Sequence, residues 1–138
     1  MMDMQNLLYA VIQVAHNFGA VAVVGGSLLG RWPFVLEVQR RRPLAWLVLS
    51  GWAVQAISGA SFGAVSIAYY GQPPDIHGIA VVALLVKIAC AVTGFAVAAL
   101  WLRYAAGWHE LRREGSWRVL MVLGVTALTA AAFLRWFS

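Results

Sequence analysis

Charge is scarce in this chain. Only 11% of its 138 residues are charged, and five are acidic. Soluble domains carry about a quarter charged residues, so a water-exposed surface is not what this composition builds. Cysteine is reduced to Cys90, which excludes a disulfide framework and reads as a small buried apolar residue. No nucleophile–base pair, phosphate-binding glycine loop or paired carboxylate is present, so hydrolase and kinase chemistry have no support. A cleaved leader is not expected either. Asp3 is the only charge ahead of the first apolar run, and that run is too long.

What the chain does have is apolar length. Hydrophobic residues make up 62% of it. Four stretches, at 6–30, 44–70, 77–102 and 117–136, approach or reach the length that crosses a ~30 Å hydrocarbon core at 1.5 Å per residue. Backbone groups in lipid must be satisfied internally, so each stretch is predicted to be a helix. The fold expected is all-α, one domain, a polytopic four-helix transmembrane bundle.

The connections orient it. "RWPFVLEVQRRRP" carries Arg31, Arg40, Arg41 and Arg42, and "RYAAGWHELRREGSWR" carries Arg103, Arg112, Arg113 and Arg118. "GQPPDIHG" has neither Lys nor Arg. The positive-inside rule puts the first and third connections in the cytoplasm of a bacterial inner membrane, and both termini in the periplasm. Arg135 opposes this mildly and can snorkel. The net charge of +5 is then a topology signal, with no nucleic-acid partner implied. Trp32, Trp46, Trp101, Trp108 and Trp117 fall at the inner ends of segments and Trp136 near an outer end. Tyr9, Tyr69 and Tyr70 lie outward, completing an aromatic belt. Trp52 falls inside the second segment, so it packs between helices or lines a cavity.

Small residues recur at packing intervals. Gly59 and Gly63 form a GxxxG pair within the Ala56, Ala60, Ala64, Ala68 ladder, and Gly94 and Ala98 repeat the spacing. The expectation is packing inside the bundle, with contact to another subunit as the alternative. Gly19, Gly25 and Gly26 suit either, or leave room for a flat cofactor.

Depth selects the candidate site. Counted from the arginines at the inner ends, His16 lies roughly 22 Å up, Lys87 roughly 24 Å, Gln55 roughly 20 Å and Thr129 roughly 17 Å. One polar layer from four helices results, with Ser58 and Thr126 a turn away. A charged lysine at that depth costs at least ~2.5 kcal/mol unless it finds a partner. No intramembrane carboxylate is available, so the partner is neutral, such as His16 or Gln55, or comes from outside the chain. A haem propionate, a quinone oxygen or another subunit's carboxylate would serve.

His16 is either an interhelical hydrogen-bonding residue or a ligand of haem iron. His77 lies too far outward to share that iron if both helices are straight. It is a solvated loop residue or a surface metal or substrate site with Asp75. His109 is expected to be solvated at the inner face. Trp52 or Phe18 would pack on a cofactor ring. Met1, Met2 and Met4 offer thioethers to Cu(I), a thin motif without an inner ladder.

The first stretch, "LLYAVIQVAHNFGAVAVVGG", resembles the opening helix of copper-resistance D-like membrane proteins and of HemJ-type protoporphyrinogen oxidases. Both tend to place a His about ten residues into the first span, ahead of a Gly-rich stretch. The third, "HGIAVVALLVKIACAVTGFAVAALWLR", resembles the span of those families that carries a Lys before an apolar run and a basic end. The likeness covers these two helices and the four-helix layout. It implies a small b-haem-binding or copper-handling membrane protein, with His16 and Lys87 at the matching positions.

Two function classes follow. The first is a membrane redox subunit that binds one haem b or contacts a quinone, passing electrons to or from a periplasmic partner. The second is an accessory or anchor subunit bound to other membrane subunits or to itself. Copper handling is a third. An electron-transfer or non-catalytic subunit is expected before an enzyme acting alone.

Overall fold

The computed structural model describes residues 2–35 and 37–138. Four long helices dominate: α1 Met2–Leu29, α2 Val38–Tyr70, α3 Ile79–Tyr104 and α4 Glu110–Phe137. Each is long and apolar enough to cross a membrane, and together they form an all-helical, antiparallel bundle. Two single 3-10 turns, Pro33–Val35 and Ala105–Gly107, lie in the arginine-rich connections. We call that end of the bundle the basic end. The opposite one, with both chain ends and the α2–α3 loop, is the termini end.

The helices overrun the apolar stretches. α2 begins at Val38 and not at 44, and α4 at Glu110 and not at 117. At 33 residues α2 extends roughly 50 Å, well beyond a ~30 Å core, so its arginine-bearing first turns stand outside the apolar layer. Pro43 sits inside α2, close to its start, where only one carbonyl loses its donor and water is near. At the other side of the loop, α2 stops at Gly71 in the left-handed region (φ 70°) and α3 starts after Gly78 (φ 52°). Side chains rarely adopt these angles, so glycine sets both boundaries.

α1 pairs with α2 and α3 with α4 as two hairpins. Gly19 and Gly51 let α1 and α2 approach closely: a Cβ on Gly51 would lie 3.0 Å from the Gly19 carbonyl oxygen. Gly26 receives Val48 in the same seam, while Gly25 faces open space. The larger buried side chains, Trp52, Trp101, Trp117, Leu120 and Val48, all lie in the basic half. Trp117 stands edge-on to Trp101, with centroids 5.5 Å apart, and covers Gly30, just past the end of α1. Trp101 and Trp117 are therefore core residues and not part of the interfacial belt. Trp32, Trp46 and Trp136 are exposed as a belt requires.

The arginines also work as helix caps. Arg41 is fully buried; its Nε donates to the Gly30 carbonyl oxygen at 2.8 Å and its Nη2 lies 2.6 Å from Glu114. Arg42 donates to Leu102 O at the end of α3, and Arg113 to Ala105 O. These carbonyls lie at or just past helix ends, where cations are favoured, and Ala105 O also accepts from Trp108 N at 3.1 Å.

The termini half is packed differently. Its buried side chains are small, among them Ser66, Ala80, Ala83 and Ala130. No described residue of α1 before Gly19 is buried. Gly59 and Gly63 do not pack within the bundle as expected, since a Cβ on either would meet no atom within 4 Å. They fall on the same stripe of α2 as Trp52, at i+7 and i+11, and Trp52 does meet α3, at Gly94. The hairpins thus lock together around tryptophans at the basic end and leave space above them.

Candidate functional site

Three of the four predicted polar residues meet across that space. Lys87 of α3 places Nζ 3.2 Å from Nε2 of His16 on α1. Nδ1 of His16 lies 2.7 Å from Ser58 Oγ on α2. Gln55, one turn along α2, donates its side-chain amide to the His16 carbonyl oxygen at 2.5 Å. All four side chains are buried or half-buried. Phe62, one further turn along α2, stands edge-on to the imidazole at 5.8 Å and stacks at 6.1 Å on Tyr9 of α1. Gln5 of α1 donates to the Tyr70 hydroxyl at 2.7 Å, tying these two helices together near the termini end.

The hydrogen bonds assign the imidazole's protons. Ser58 donates its hydroxyl proton to Val54 O at 2.5 Å, so toward His16 it accepts. Nδ1 therefore carries the hydrogen, and Nε2 offers its lone pair to Lys87. A lysine nitrogen, charged or neutral, donates there and keeps further N–H groups free. The site has donors in excess and no carboxylate beside them: the ion pairs of the described residues join Arg40 to Glu37, Arg41 to Glu114 and His77 to Asp75. Chemically it suits an oxygen acceptor. An iron at Nε2 would have to displace Lys87 first.

Several expected members stand elsewhere. Thr129 is exposed, donates to its own Val125 O and lines an open groove of about 350 Å³ with Val82, Val86, Thr126 and Phe133, all on α3 and α4. Its depth matched the polar layer, but its azimuth on α4 did not, and depth alone cannot read azimuth. Trp52, 2% exposed, fills the cleft at Gly94 and is a core residue. Phe18 is 71% exposed on the outside of α1, and Phe62 holds the place against the imidazole ring. His77 lies before α3 and pairs with Asp75 at 2.6 Å, both 82% exposed. Among the described residues no three His, Cys, Asp or Glu side chains converge as a metal site would need. Cys90 is buried in the core, as read. Met1 of the thioether motif, and the side chain of Met2, lie outside the described residues, and Met4 is exposed.

One feature of this half, Phe62, escaped the sequence. Phe62 follows Gln55 and Ser58 at i+7 and i+4, the signal that would have placed it on their face. Gln13 and Asn17, one turn apart on α1, bond to each other at 2.7 Å and are exposed at the level of the site. Comparison with known families, characterised proteins and solved structures finds no match to this chain.

Proposed function

We propose that this chain is a small electron-transport subunit of a bacterial inner membrane, with both termini in the periplasm. Its His16–Lys87 pair receives a carbonyl oxygen of a quinone dissolved in the bilayer. One observation carries the reading: Lys87 Nζ rests 3.2 Å from His16 Nε2, with no carboxylate beside it. A buried donor without a full set of acceptors is costly, and more so in lipid than in water. A quinone oxygen supplies the missing acceptor. A quinone becomes a quinol by taking up electrons and protons in equal number. The protons pass at the oxygen held by Lys87, with His16 as the adjoining base. The electrons come from or go to a periplasmic electron-transfer protein or a neighbouring membrane subunit.

Haem b is the second reading. His16 would ligate iron through Nε2, and Lys87 would turn from that nitrogen to a propionate. The same missing carboxylate favours it, whereas the pairing of both ring nitrogens favours the quinone. The open face at Gly59 and Gly63 supports the assembly with other membrane subunits that either reading requires.

The test uses the purified protein in lipid nanodiscs, titrated with decylubiquinone and read by quenching of its tryptophans. Saturable quenching is expected, and His16→Ala and Lys87→Met should each weaken it about tenfold, the value of one strong hydrogen bond. Reduced-minus-oxidised haem bands that vanish in His16→Ala would transfer the assignment to haem b. Neither signal would leave an accessory subunit held by its neighbours.

A further inference from the structure

Gln13 and Asn17 are in the wrong place for residues without a task. Both are exposed, halfway along a helix that crosses the membrane. Their mutual hydrogen bond uses one N–H of Gln13 and one lone pair of Asn17. The other amide N–H groups make no hydrogen bond among the described residues. In hydrocarbon each such group carries a cost that a leucine would avoid.

Their azimuth shows what they face. Residues 13, 17, 20 and 24 fall at i, i+4, i+7 and i+11, one stripe along α1. At the basic end of that stripe Val24 lies against Gly124 of α4. Gly30 against Trp117, and Arg31 against Met121 at 3.3 Å, continue the same seam toward the basic end. Gln13 and Asn17 lie further along the stripe toward the termini end, where α1 has no buried residue. The seam between α1 and α4 is packed from Val24 toward the basic end, and beyond Val24 its α1 side is exposed at Gln13 and Asn17. His16, one turn from Gln13 and adjacent to Asn17, is half-buried just inside.

We infer that a membrane-dissolved quinone reaches Lys87 sideways, through this opening between α1 and α4 at the termini end, and that the Gln13 and Asn17 amides hold the carbonyl at the far side of its ring. The inference rests on the quinone reading of the His16–Lys87 site and adds the route and the second contact. Donors then meet both oxygens: Lys87 within, the amides at the rim. The apolar tail stays in the lipid and needs no enclosing cavity. A helix from another subunit fits less well, because the packing of Val24 on Gly124 ends the exposed stretch of this stripe partway along α1.

The experiment is photolabelling of the protein in nanodiscs with an azido-benzoquinone carrying a decyl chain, followed by peptide mapping. Label is expected on α1 between Gln13 and Ala20 and on the facing part of α4 around Leu128 and Ala131. Label confined to the α3–α4 groove at Val82, Thr129 and Phe133 would overturn the route. In parallel, Gln13→Leu with Asn17→Leu should weaken decylubiquinone binding about tenfold while thermal stability stays level or rises, as loss of one or two ligand hydrogen bonds implies. If that double variant binds normally while Lys87→Met does not, the opening is wrong and the site stands. If no saturable binding or label is found, both are wrong. Crosslinking of Asn17→Cys, in a Cys90→Ala background, to a second polypeptide would show that a partner helix occupies the seam.

Discussion

Trp52 occupies the space that Gly94 leaves empty: a side chain on the glycine would lie within the indole. The two residues come from different hairpins, so this fit helps set the hairpins against each other, beside Trp117 on Gly30 and Arg41 with Glu114. It also bears on the height at which Lys87, seven residues earlier on α3, meets the imidazole of His16.

Gly94→Ala should therefore destabilise the protein by about 1–3 kcal/mol, the usual cost of forcing a methyl into a packed core. Unfolding of the detergent-solubilised protein in increasing dodecyl sulfate, followed by circular dichroism, measures it. Trp52→Phe removes part of the ring and an indole N–H that has no acceptor among the described residues. Combined with Gly94→Ala it should recover part of the loss. Equal stabilities for wild type and Gly94→Ala would mean that the fit is looser than described.

Gly59→Ala and Gly63→Ala should behave oppositely. Each new methyl enters open space, and alanine is a better helix former than glycine by up to ~1 kcal/mol in water. Monomer stability is expected to hold or rise slightly. Gly59→Leu with Gly63→Leu should alter only association, visible as a shift in blue-native migration. A collapse of the monomer would place these glycines inside the packing after all.

Removing one member of the Arg41–Glu114 pair should hurt more than removing both. Glu114→Gln leaves a fully buried guanidinium without its counter-charge, which in buried pairs costs about 3–5 kcal/mol; the partial exposure of Glu114 places the expected loss at the low end or below. Arg41→Met with Glu114→Gln should be closer to wild type than Glu114→Gln alone. A thermal shift series on the three variants decides it.

The surface pair of His77 and Asp75 should count for almost nothing. Both side chains are 82% exposed, and exposed pairs contribute about 0–1 kcal/mol. His77→Ala is expected to leave both stability and quinone binding unchanged. A loss of bound metal in that variant would reopen the loop as a metal site.

Much of the architecture was legible because lipid imposes a length on apolar runs and a charge bias on loops. The four spans, the buried Cys90 and the company of His16, Gln55 and Lys87 follow from residue counts along helices whose ends are marked by arginines. Thr129 failed because counting gives height and not azimuth, and α4 turns that face to a groove on α3. Trp101 and Trp117 failed because an interfacial tryptophan and a tryptophan packed between helix ends share the same position along the chain. Arg41 was hidden among three consecutive arginines, and only the turn of α2 selects the one that points inward.

Arg41, Arg42 and Arg113 have a dual allegiance. The guanidiniums that the positive-inside rule counts also fasten the carbonyl ends of α1 and α3. An engineer who strips these arginines to invert the protein would also unfasten the helix ends they bind. Charge bias and helix-end capping thus fall on one set of residues, and a variant stripped of them would lack the clasp that closes the basic end.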